Sequence, residues 1–565
     1  MKTSRFKLSL PQAWRDMLCL TAVLTLFYFI YLGSYPLFTP DEGRYTEVAR
    51  EMLANHDFIT PRVNGVPFLD KPALYYWLQA AALALFGMKE WAVRFFPACF
   101  GIAGCLITYA TGRFLFNRRT GLLAAAILAT SPLYFASAHY ANLDLEVAVL
   151  INATLLAFIC AVKNPAQPNT RLLYAAYAFA GLAFLTKGMI GLVFPALIIG
   201  AWIVILPQWS LIMRMRLFTG LSLSAAIILP WYLLAQAANP DFLHYFFVEQ
   251  QVTRFLSQHQ FNNPTPFWFY LPIVLIGLLP WACFLPQALA KHVRAIFNQK
   301  HTQAAPLFLL LSAGIIFVFF SIPHSKTVSY ILPVFPALAL LIANYLDSIF
   351  DSANRHALPT MLFTVISGLF GALLLLNDHF QWLALNSAMT PFLTILGALL
   401  IFGGVISLCL SHLRLPILFT YMLSWSTLFL FTLVLSASHL NDRTTKPLLP
   451  MLEAQLQPND MVVNYYTFYQ DLPFYLNRTI TLVADWQSPT IANKDNWVRE
   501  LWVQMKDRKE DNLINNDTFA ARWRGPQRLF VFLDAKYLNQ LEATVGDVHL
   551  IDQYHTIVLV SNRDG

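Results

Sequence analysis

The sequence predicts a polytopic α-helical membrane protein with a soluble α/β domain at its C-terminus. Of its 565 residues, 57% are hydrophobic and only 12% are charged. Soluble domains carry roughly 25% charged residues, so this composition excludes an ordinary soluble enzyme. Apolar runs of about 17–25 residues, each long enough to cross about 30 Å of hydrocarbon, recur through residues 1–438. Residues 439–565 have an ordinary charge density and alternate short strand-like and helix-like segments.

The apolar runs predict about thirteen transmembrane helices. The first run follows a basic N-terminus and lacks a small-residue cleavage site, so it is interpreted as a retained signal-anchor helix rather than a removed signal peptide. The predicted spans lie approximately at 17–32, 91–111, 121–140, 145–162, 172–186, 189–207, 217–236, 268–288, 306–322, 328–346, 359–376, 392–411 and 416–436.

The basic residues predict the orientation in the membrane. Lysines and arginines recur in alternate loops, so the positive-inside rule predicts a cytoplasmic N-terminus and an outer C-terminal domain. The net charge of +7 is spread over these loops and forms no continuous stripe, so no nucleic-acid partner is expected. All six cysteines fall inside apolar runs without a CxxC pair, which excludes a disulfide framework and a zinc site of cysteines.

The C-terminal segment predicts a small α/β domain on the outer face. Short runs rich in β-branched and aromatic residues alternate with helix-like stretches, which is typical of a sheet covered by helices. The predicted strands are 461–466, 479–483, 528–533 and 556–560, and the predicted helices are 470–476, 494–506 and 535–543.

Two long outer loops, 34–90 and 237–267, contain the polar groups expected of an active site, because charges inside hydrocarbon are costly. Thr39 followed by Pro40 and Glu42 predicts a capping box, and a helix over 40–54 lying along the membrane surface. Asp41 and Glu42 have two interpretations. They complement the helix dipole, or one of them acts as a base or metal ligand.

Asp70-Lys71-Pro72 predicts the start of a second helix over 72–86. One interpretation is a helix cap beside a solvated lysine. The other is that Lys71, at the bilayer edge beside aromatic residues, binds a lipid phosphate as a point charge.

Further charged residues lie at the ends of apolar runs. Asp144 is either a helix N-cap or a carboxylate of the site, and Lys187 is either a C-terminal cation before a glycine cap or a cation of the site. Arg254 and Lys326 are lone bases in outer loops. Together these acids and bases fit an anionic lipid substrate that is bound by cations beside a carboxylate.

Nucleotide-binding and zinc-protease motifs (GxGxxG, Walker A and HExxH) are missing from the sequence. An active site on the outer face has no access to cytoplasmic nucleotide-activated donors. A group-transfer enzyme there needs a donor activated by a lipid phosphate, which agrees with the pattern of charges.

Two motifs of the first long loop resemble those of the bacterial lipid A aminoarabinose transferases. The first is Thr39-Pro40-Asp41-Glu42-Gly43-Arg44-Tyr45, followed by Glu47, Arg50 and Glu51, and the second is Asp70-Lys71-Pro72. These transferases are GT-C glycosyltransferases related to protein O-mannosyltransferases. The similarity continues in order over roughly residues 35–345, through Leu143-Asp144, Leu185-Thr186-Lys187-Gly188, Pro230-Trp231, Pro266-Phe267-Trp268, Leu279-Pro280-Trp281 and Ser325-Lys326 with Tyr330.

The resemblance implies a GT-C fold, a periplasmic active site in a bacterial inner membrane and an undecaprenyl-phosphate-linked sugar donor. Asp41 matches the catalytic aspartate of the family and Asp144 lines the same cavity, while Glu42 is a further catalytic candidate. Lys71, Arg254 and Tyr330 match positions that bind the donor phosphate. Arg44, Lys187 and Lys326 are added as further candidates for that role.

Two departures from the family pattern concern a divalent metal ion. Asp70 stands where relatives commonly have glutamate, and Gln250 and Gln251 stand where a histidine often follows. The resemblance implies a metal at Asp70, but an amide is a poor ligand for a transition metal. Metal dependence is therefore left open.

The predicted function is the transfer of a sugar from undecaprenyl phosphate to lipid A or a similar periplasmic glycolipid, with inversion at the anomeric carbon. Membrane lipids are expected to surround the enzyme. The nearer alternative is glycosylation of proteins, as in protein O-mannosyltransferases. An alternative from another class is a lipid-sugar flippase or transporter, which the edge position of the charges and the lack of internal repeats disfavour.

Overall fold

The computed structural model describes residues 11–253, 265–299, 302–351, 356–382, 387–491, 496–505 and 511–564. Up to residue 440, the described residues are mostly helical. The helices of this part are Gln12–Phe29, Asp41–Asn55, Leu74–Phe86, Glu90–Val93, Phe95–Leu115, Arg118–Ala129, Pro132–Ala138, Leu143–Ala161, Thr170–Lys187, Ile190–Ile205, Trp209–Arg214, Leu217–Ala238, the π-helix His244–Thr253, Tyr270–Gly277, Leu285–Gln299, Ala304–Ser321, Phe335–Ile349, Ala357–Phe380, Thr390–Cys409 and Leu415–Leu440. Short 3₁₀ turns precede several of them.

The protein is a polytopic membrane protein, as its apolar runs predict. In the described residues eight helices are long and apolar enough to cross a membrane, and two bent pairs raise the number to ten. The other predicted spans, 17–32, 172–186 and 189–207, form helices that do not reach that length or apolarity. Large apolar side chains such as Phe218 and Val365 are more than half exposed, as the lipid-facing surface of a bundle requires.

Two predicted spans are broken near a proline. The span predicted at 121–140 is the pair Arg118–Ala129 and Pro132–Ala138, bent by 67°. The span predicted at 268–288 is bent by 107° at Pro280. Proline has no N–H for the helix and disfavours helical backbone in the residue before it, so both breaks follow from the sequence.

The long loop 34–90 contains two helices, close to the predicted bounds. The acidic helix spans Asp41–Asn55, and Leu74–Phe86 follows the two-stranded hairpin of β1 (Arg62–Val63) and β2 (Val66–Pro67). The predicted capping box is wrong. The hydroxyl of Thr39 donates to the carbonyl of Arg443 at 3.0 Å, and the carboxylate of Glu42 accepts from the backbone N–H of Phe38 at 2.8 Å.

The sequence predicts that the acidic helix lies along the membrane surface. In the structure the helix is instead buried on both its apolar and its polar side. Its apolar residues Val48, Ala49 and Met52 are buried, but so are Glu47 and Glu51 on its polar side. The helix is enclosed because the C-terminal domain covers the side that faces away from the membrane helices. Phe468 and Leu501 of that domain share an apolar cluster with Tyr45 and Val48.

The C-terminal domain contains a six-stranded sheet in the order β5-β4-β3-β6-β8-β7. The strands are β3 (Met461–Tyr465), β4 (Thr481–Val483), β5 (Leu513–Ile514), β6 (Leu529–Asp534), β7 (His549–Tyr554) and β8 (Ile557–Ser561). β5, β4, β3 and β6 are parallel, and β8 and β7 are antiparallel. The helices of the domain are Leu449–Glu453, Leu472–Leu476, Trp497–Met505, Asn516–Trp523 and Leu538–Val545.

The four strands predicted from the sequence are all present. The sequence missed β5 and β7, because β5 has only two residues and the burial of β7 does not alternate cleanly between inside and outside. Both faces of the sheet carry apolar clusters, with Val463 on one side and Val462 on the other. An α/β domain of this kind was predicted from the alternation of strands and helices.

Candidate active site

A polar cavity of about 120 Å³ lies where the acidic helix meets the membrane helices and the C-terminal domain. Most of the charged residues predicted for the site line this cavity, although they come from distant parts of the chain. The predicted residues that line it are Asp41, Arg44, Asp70, Lys71, Asp144, Lys187 and Tyr330. The structure thus gathers the acids and the bases that the sequence singles out.

These residues meet because they lie at the ends of helices that point to one place. Asp41 and Asp144 lie in the first turns of their helices, where a negative charge complements the helix dipole. Lys187 is the last residue of its helix, where a cation does the same. Each charge is therefore stabilised by its own helix before it contacts another side chain.

A second, mostly apolar cavity of about 440 Å³ adjoins the polar one. Apolar side chains such as Phe38, Leu133 and Val434 line it. Asp41 and Asp144 line both cavities, so the two carboxylates stand where the apolar and the polar spaces meet. This arrangement suits a molecule with a polar head and a hydrocarbon tail.

Asp144 is bound by two side chains in the cavity. Its carboxylate accepts hydrogen bonds from the ammonium group of Lys187 and from the hydroxyl of Ser329. The Lys187 ammonium also lies 3.9 Å from the centre of the Tyr330 ring. Asn142, and not Asp144, caps the helix, since its side chain accepts from the backbone N–H of Asp144 at 2.9 Å.

Asp41 is half-buried and has a raised pKa. Burial raises the pKa of its carboxyl above the usual value, the nearby Arg44 lowers it, and the charge of Asp144 raises it. The hydroxyl of Tyr140 donates to the carboxylate of Asp41 at 3.4 Å. A carboxylate with a raised pKa accepts a proton more readily, which is the property that a general base needs.

Glu42, the neighbouring candidate, lies outside both cavities. It is fully buried and its carboxylate forms two hydrogen bonds with the guanidinium group of Arg94, at 2.7 and 2.8 Å. The backbone N–H groups of Phe38 and Ala141 donate to the same carboxylate, each at 2.8 Å. Glu42 therefore connects three chain segments beneath Asp41 and is placed to support the site without touching a substrate.

The remaining charged residues of the motif form a buried network inside the acidic helix. Arg50 forms two hydrogen bonds with the carboxylate of Glu47, both at 2.6 Å. Glu51 accepts from the backbone N–H of Gly65 at 2.7 Å. Burial, and then the charge of Glu47, raise the pKa of Glu51 to about 9. These residues fix the helix to the hairpin rather than face the cavity.

Arg44 is bound by the C-terminal domain. Its guanidinium group lies 3.3 Å from the carboxylate of Glu500 and donates to the side-chain oxygen of Gln470 at 3.2 Å. Glu500 itself lines the polar cavity. The sequence reasoning missed Glu500 and Gln470, because no local signal connects them with a motif more than 420 residues earlier. It also missed Ser329.

Lys326 does not join this group. The ammonium group of Lys326 is buried and donates to the backbone carbonyls of Thr265 and Pro266, at 3.1 and 3.3 Å. Lys326 lines neither cavity. Arg254 lies outside the described residues.

In the described residues, the side chains hydrogen-bonded around Asp70 include no second strong ligand for a transition-metal ion. Its carboxylate accepts a hydrogen bond from the hydroxyl of Tyr245 at 2.5 Å, and the amide of Gln250 donates to that hydroxyl at 2.7 Å. A phenol and an amide are weak ligands compared with imidazole or thiolate. Across the described ranges, no three His, Cys, Asp or Glu side chains gather as a metal-binding group. No chemical step is therefore assigned to a metal here.

Comparison with known proteins shows which families and structures the chain resembles. Residues 70–233 match the family described as dolichyl-phosphate-mannose-protein mannosyltransferase. The undecaprenyl phosphate-alpha-4-amino-4-deoxy-L-arabinose arabinosyl transferase of Aeromonas salmonicida is 32% identical over 357 residues, which is 62% of this chain and 63% of that protein. Transferase 2 of the same description from Sodalis glossinidius is 36% identical over 331 residues, 58% of each chain.

Both alignments span less than two thirds of the relatives' own length. The likeness in structure extends further. The crystal structure of ArnT from Cupriavidus metallidurans bound to undecaprenyl phosphate superposes with a TM-score of 0.83 and covers 98% of each chain, at 24% sequence identity. The resemblance predicted from the sequence is thus confirmed: the chain is similar to the bacterial aminoarabinose transferases over about three fifths of its sequence and has their GT-C fold over almost its whole length.

Proposed function

We propose that this protein transfers a sugar from an undecaprenyl phosphate carrier to lipid A or a similar glycolipid. The observation that carries the proposal is the junction of the two cavities. Two carboxylates, Asp41 and Asp144, stand between an apolar space that suits a lipid and a polar space lined by Lys71, Arg44 and Lys187. The names of the sequence relatives support the same carrier and an aminoarabinose-like sugar.

In the proposed reaction an oxygen of the acceptor attacks the anomeric carbon of the sugar. The new carbon–oxygen bond forms as the bond between that carbon and the carrier phosphate breaks, so the configuration inverts. The electron pair of the broken bond leaves with the phosphate, whose charge Lys71 and Arg44 stabilise. Fixed charges aimed at a developing anion are usually the largest contribution to such catalysis.

Asp41 is assigned the role of activating or orienting the acceptor. If the acceptor is a hydroxyl, Asp41 takes its proton as the bond forms, and the raised pKa of its carboxyl helps this transfer. If the acceptor is an ionised phosphate, no proton needs to leave and Asp41 orients the nucleophile. Asp144 binds Lys187 and Ser329 and so positions the floor of the cavity.

The proposed orientation has the N-terminus in the cytoplasm, and the cavities and the C-terminal domain in the periplasm of a bacterial inner membrane. The basic residues of alternate loops support it. Alkaline phosphatase fused after Gly565 is expected to be active in cells, because that enzyme works only outside the cytoplasm. Activity of a cytoplasmic reporter at the same point, without phosphatase activity, would contradict this orientation.

The decisive test compares lipid A and periplasmic proteins by mass spectrometry in wild-type cells and in cells without this protein. We expect loss of a sugar-sized mass from lipid A and no change in protein glycosylation. The reverse result would favour the protein acceptor that the matched family description names. In reconstituted membranes, substrate movement without a glycosidic bond would favour a transporter.

The matched variant is Asp41→Asn, which keeps the size of the side chain and removes the base. We expect transfer to fall by about 10²- to 10⁴-fold, the usual contribution of a general base. The variant should remain in the membrane and unfold at the wild-type temperature. Normal transfer by Asp41→Asn would end the assignment of Asp41.

A further inference from the structure

A third cavity, of about 260 Å³, lies in the C-terminal domain at one edge of its sheet. Tyr466 and Thr467 directly follow β3, Ala484 and Asp485 follow β4, and Lys536 and Tyr537 come shortly after β6. All these residues line the cavity. Because the three strands are parallel and adjacent, their carboxyl ends meet at this edge.

The cavity lies at the point where the strand order reverses. From β3 the chain adds β4 and β5 on one side and then places β6 on the other side of β3. The loops after β3 and β6 therefore leave the sheet in opposite directions and open a crevice between them. In open α/β sheets, ligands bind outside the carboxyl ends of the strands at such a switch point.

The side chains of this crevice fit a sugar ring. Three of them are aromatic, namely Tyr466, Trp497 and Tyr537, and the ring centres of the two tyrosines are 5.7 Å apart. Aromatic faces pack against the C–H groups of a pyranose ring. Asp485 and Asn496 supply acceptors and donors for its hydroxyl groups.

Charge and size disfavour a nucleotide. Among the described residues that line the cavity, Lys536 is the one base. Its ammonium group lies 4.0 Å from the carboxylate of Asp534, and Asp485 adds a second negative charge. A phosphate would meet more negative than positive charge here. The volume is also below the roughly 300 Å³ at which pockets for drug-sized ligands begin. A small neutral ligand with many hydroxyl groups fits both the charge and the volume of the cavity.

One helix borders both this crevice and the candidate active site. Trp497, at the start of the helix Trp497–Met505, lines the crevice, and Glu500 of the same helix lines the polar cavity beside Arg44. The two residues are three positions apart, about 4.5 Å along the helix axis. Residues three positions apart lie on the same face of a helix, so one face of this helix borders both spaces.

We propose that the crevice lined by Tyr466, Asp485, Trp497 and Tyr537 binds a neutral hexopyranose of the acceptor's glycan. The assignment to the acceptor rests on the proposed transferase function, whereas the binding of a hexose does not. The crevice selects acceptors that already carry sugars beyond the reacting group. Binding there holds the acceptor over the active site while its reacting oxygen lies near Asp41.

The binding of a hexose is tested directly, without the reaction. Full-length protein in lipid nanodiscs is mixed with glucose or galactose, and saturation-transfer NMR measures contact with the sugar. We expect a signal for the wild type and at least a fivefold weaker one for Tyr537→Ala and Asp485→Ala, since an aromatic contact is worth about 1 kcal/mol. Tyr537→Phe keeps the ring, and Asp547→Ala removes an exposed acid elsewhere in the domain, so both should retain the signal.

Two results would overturn the site. One is the absence of saturation transfer to either hexose by folded wild-type protein. The other is an equal signal in Tyr537→Ala, Asp485→Ala and the wild type. Asp485 is exposed, so its variant should fold, and its unfolding temperature is measured to verify this. Asp41→Asn should bind the hexoses normally, because the crevice lies apart from the reacting groups.

The link to the acceptor is tested by transfer kinetics with two acceptors, lipid A with its attached glycan and lipid A without it. In Tyr537→Ala we expect the KM for the glycan-bearing acceptor to rise severalfold relative to the KM for the glycan-free one. An unchanged ratio would overturn the link to the acceptor. If the wild type binds hexoses but transfers sugar to neither acceptor, the crevice stands as a sugar site and the proposed function fails.

Discussion

The carboxylate of Glu500, in the C-terminal domain, lies 3.3 Å from the guanidinium group of Arg44, in the long loop 34–90. Burial lowers the pKa of Arg44, but Glu500 and other nearby acids raise it by more, so the guanidinium group stays charged. The C-terminal domain thus contributes a charge to the polar cavity. In the proposed reaction, this contact would neutralise part of the positive charge that faces the phosphate of the donor.

We expect Glu500→Gln to strengthen binding of the anionic donor. Glu500 is about 41% exposed, and pairs of this kind are worth about 0–1 kcal/mol, so the KM for the donor should fall by at most about fivefold. Arg44→Gln, the matched variant, should raise it. Donor titrations with both variants check the prediction, which fails if Glu500→Gln raises the KM as much as Arg44→Gln does.

The activity should fall on the acid side at a higher pH than an ordinary aspartate would cause. Asp41 must be ionised to act as a base, and burial raises the pKa of its carboxyl above the usual 3.8. As the pH falls through that raised pKa, the carboxylate takes up a proton and kcat/KM declines. A pH–rate profile measures this, with unfolding temperatures at each pH as the control. A flat profile from about pH 7 down to about pH 4 would contradict the prediction.

The pair of Asp144 and Lys187 should behave as one unit. Both side chains are largely buried, so removing one partner leaves an unpaired charge, which costs about 3–5 kcal/mol. We expect Asp144→Ala and Lys187→Met each to lower the unfolding temperature more than the double variant does. Thermal unfolding in detergent measures this, and additive losses in the double variant would show that the two charges are not coupled.

Gly43 allows the acidic helix to touch the C-terminal domain. A Cβ atom at this position would lie 2.6–2.8 Å from the backbone of Gln470 and Asp471. Gly43→Ala should therefore displace that domain, which speeds its cleavage by protease and weakens the contact between Arg44 and Glu500.

Gly200→Ala is the matched control, because an added Cβ there has open space in the middle of a helix. This variant should leave the free energy of unfolding unchanged, or raise it by up to about 1 kcal/mol because alanine has the higher helix propensity. Equal protease resistance of Gly43→Ala and the wild type would contradict the prediction. It would show that the interface accommodates the added methyl group without displacing the domain.

Transfer should not require a divalent metal at Asp70. The carboxylate of Asp70 is hydrogen-bonded to Tyr245, whose hydroxyl is held by Gln250. We expect full activity after treatment with a chelator, and a measurable loss in Tyr245→Phe, which removes the hydroxyl. Metal analysis of the purified protein is the second readout. A stoichiometric ion whose removal abolishes transfer would contradict the prediction.

The sequence singled out residues that come together in the structure, but it did not distinguish their contacts. Asp41 and Lys71 were chosen from the polar loop 34–90 and Asp144 from a turn between two apolar runs, and all three line the polar cavity. Glu42 has the same sequence signal as Asp41, being the next acid in the same helical turn. Only its contact with Arg94, 52 residues later, distinguishes the two.

The membrane part, the two helices of the loop 34–90 and the α/β character of the C-terminal domain are predicted from the sequence alone. Those features follow from local composition and periodicity, which act over one turn of helix or one strand. Only the packing of distant segments places Glu500 beside Arg44, buries Glu42 against Arg94 and brings three strand ends together as a crevice. Such contacts depend on which buried surfaces pack together across hundreds of residues, and no local pattern encodes that choice.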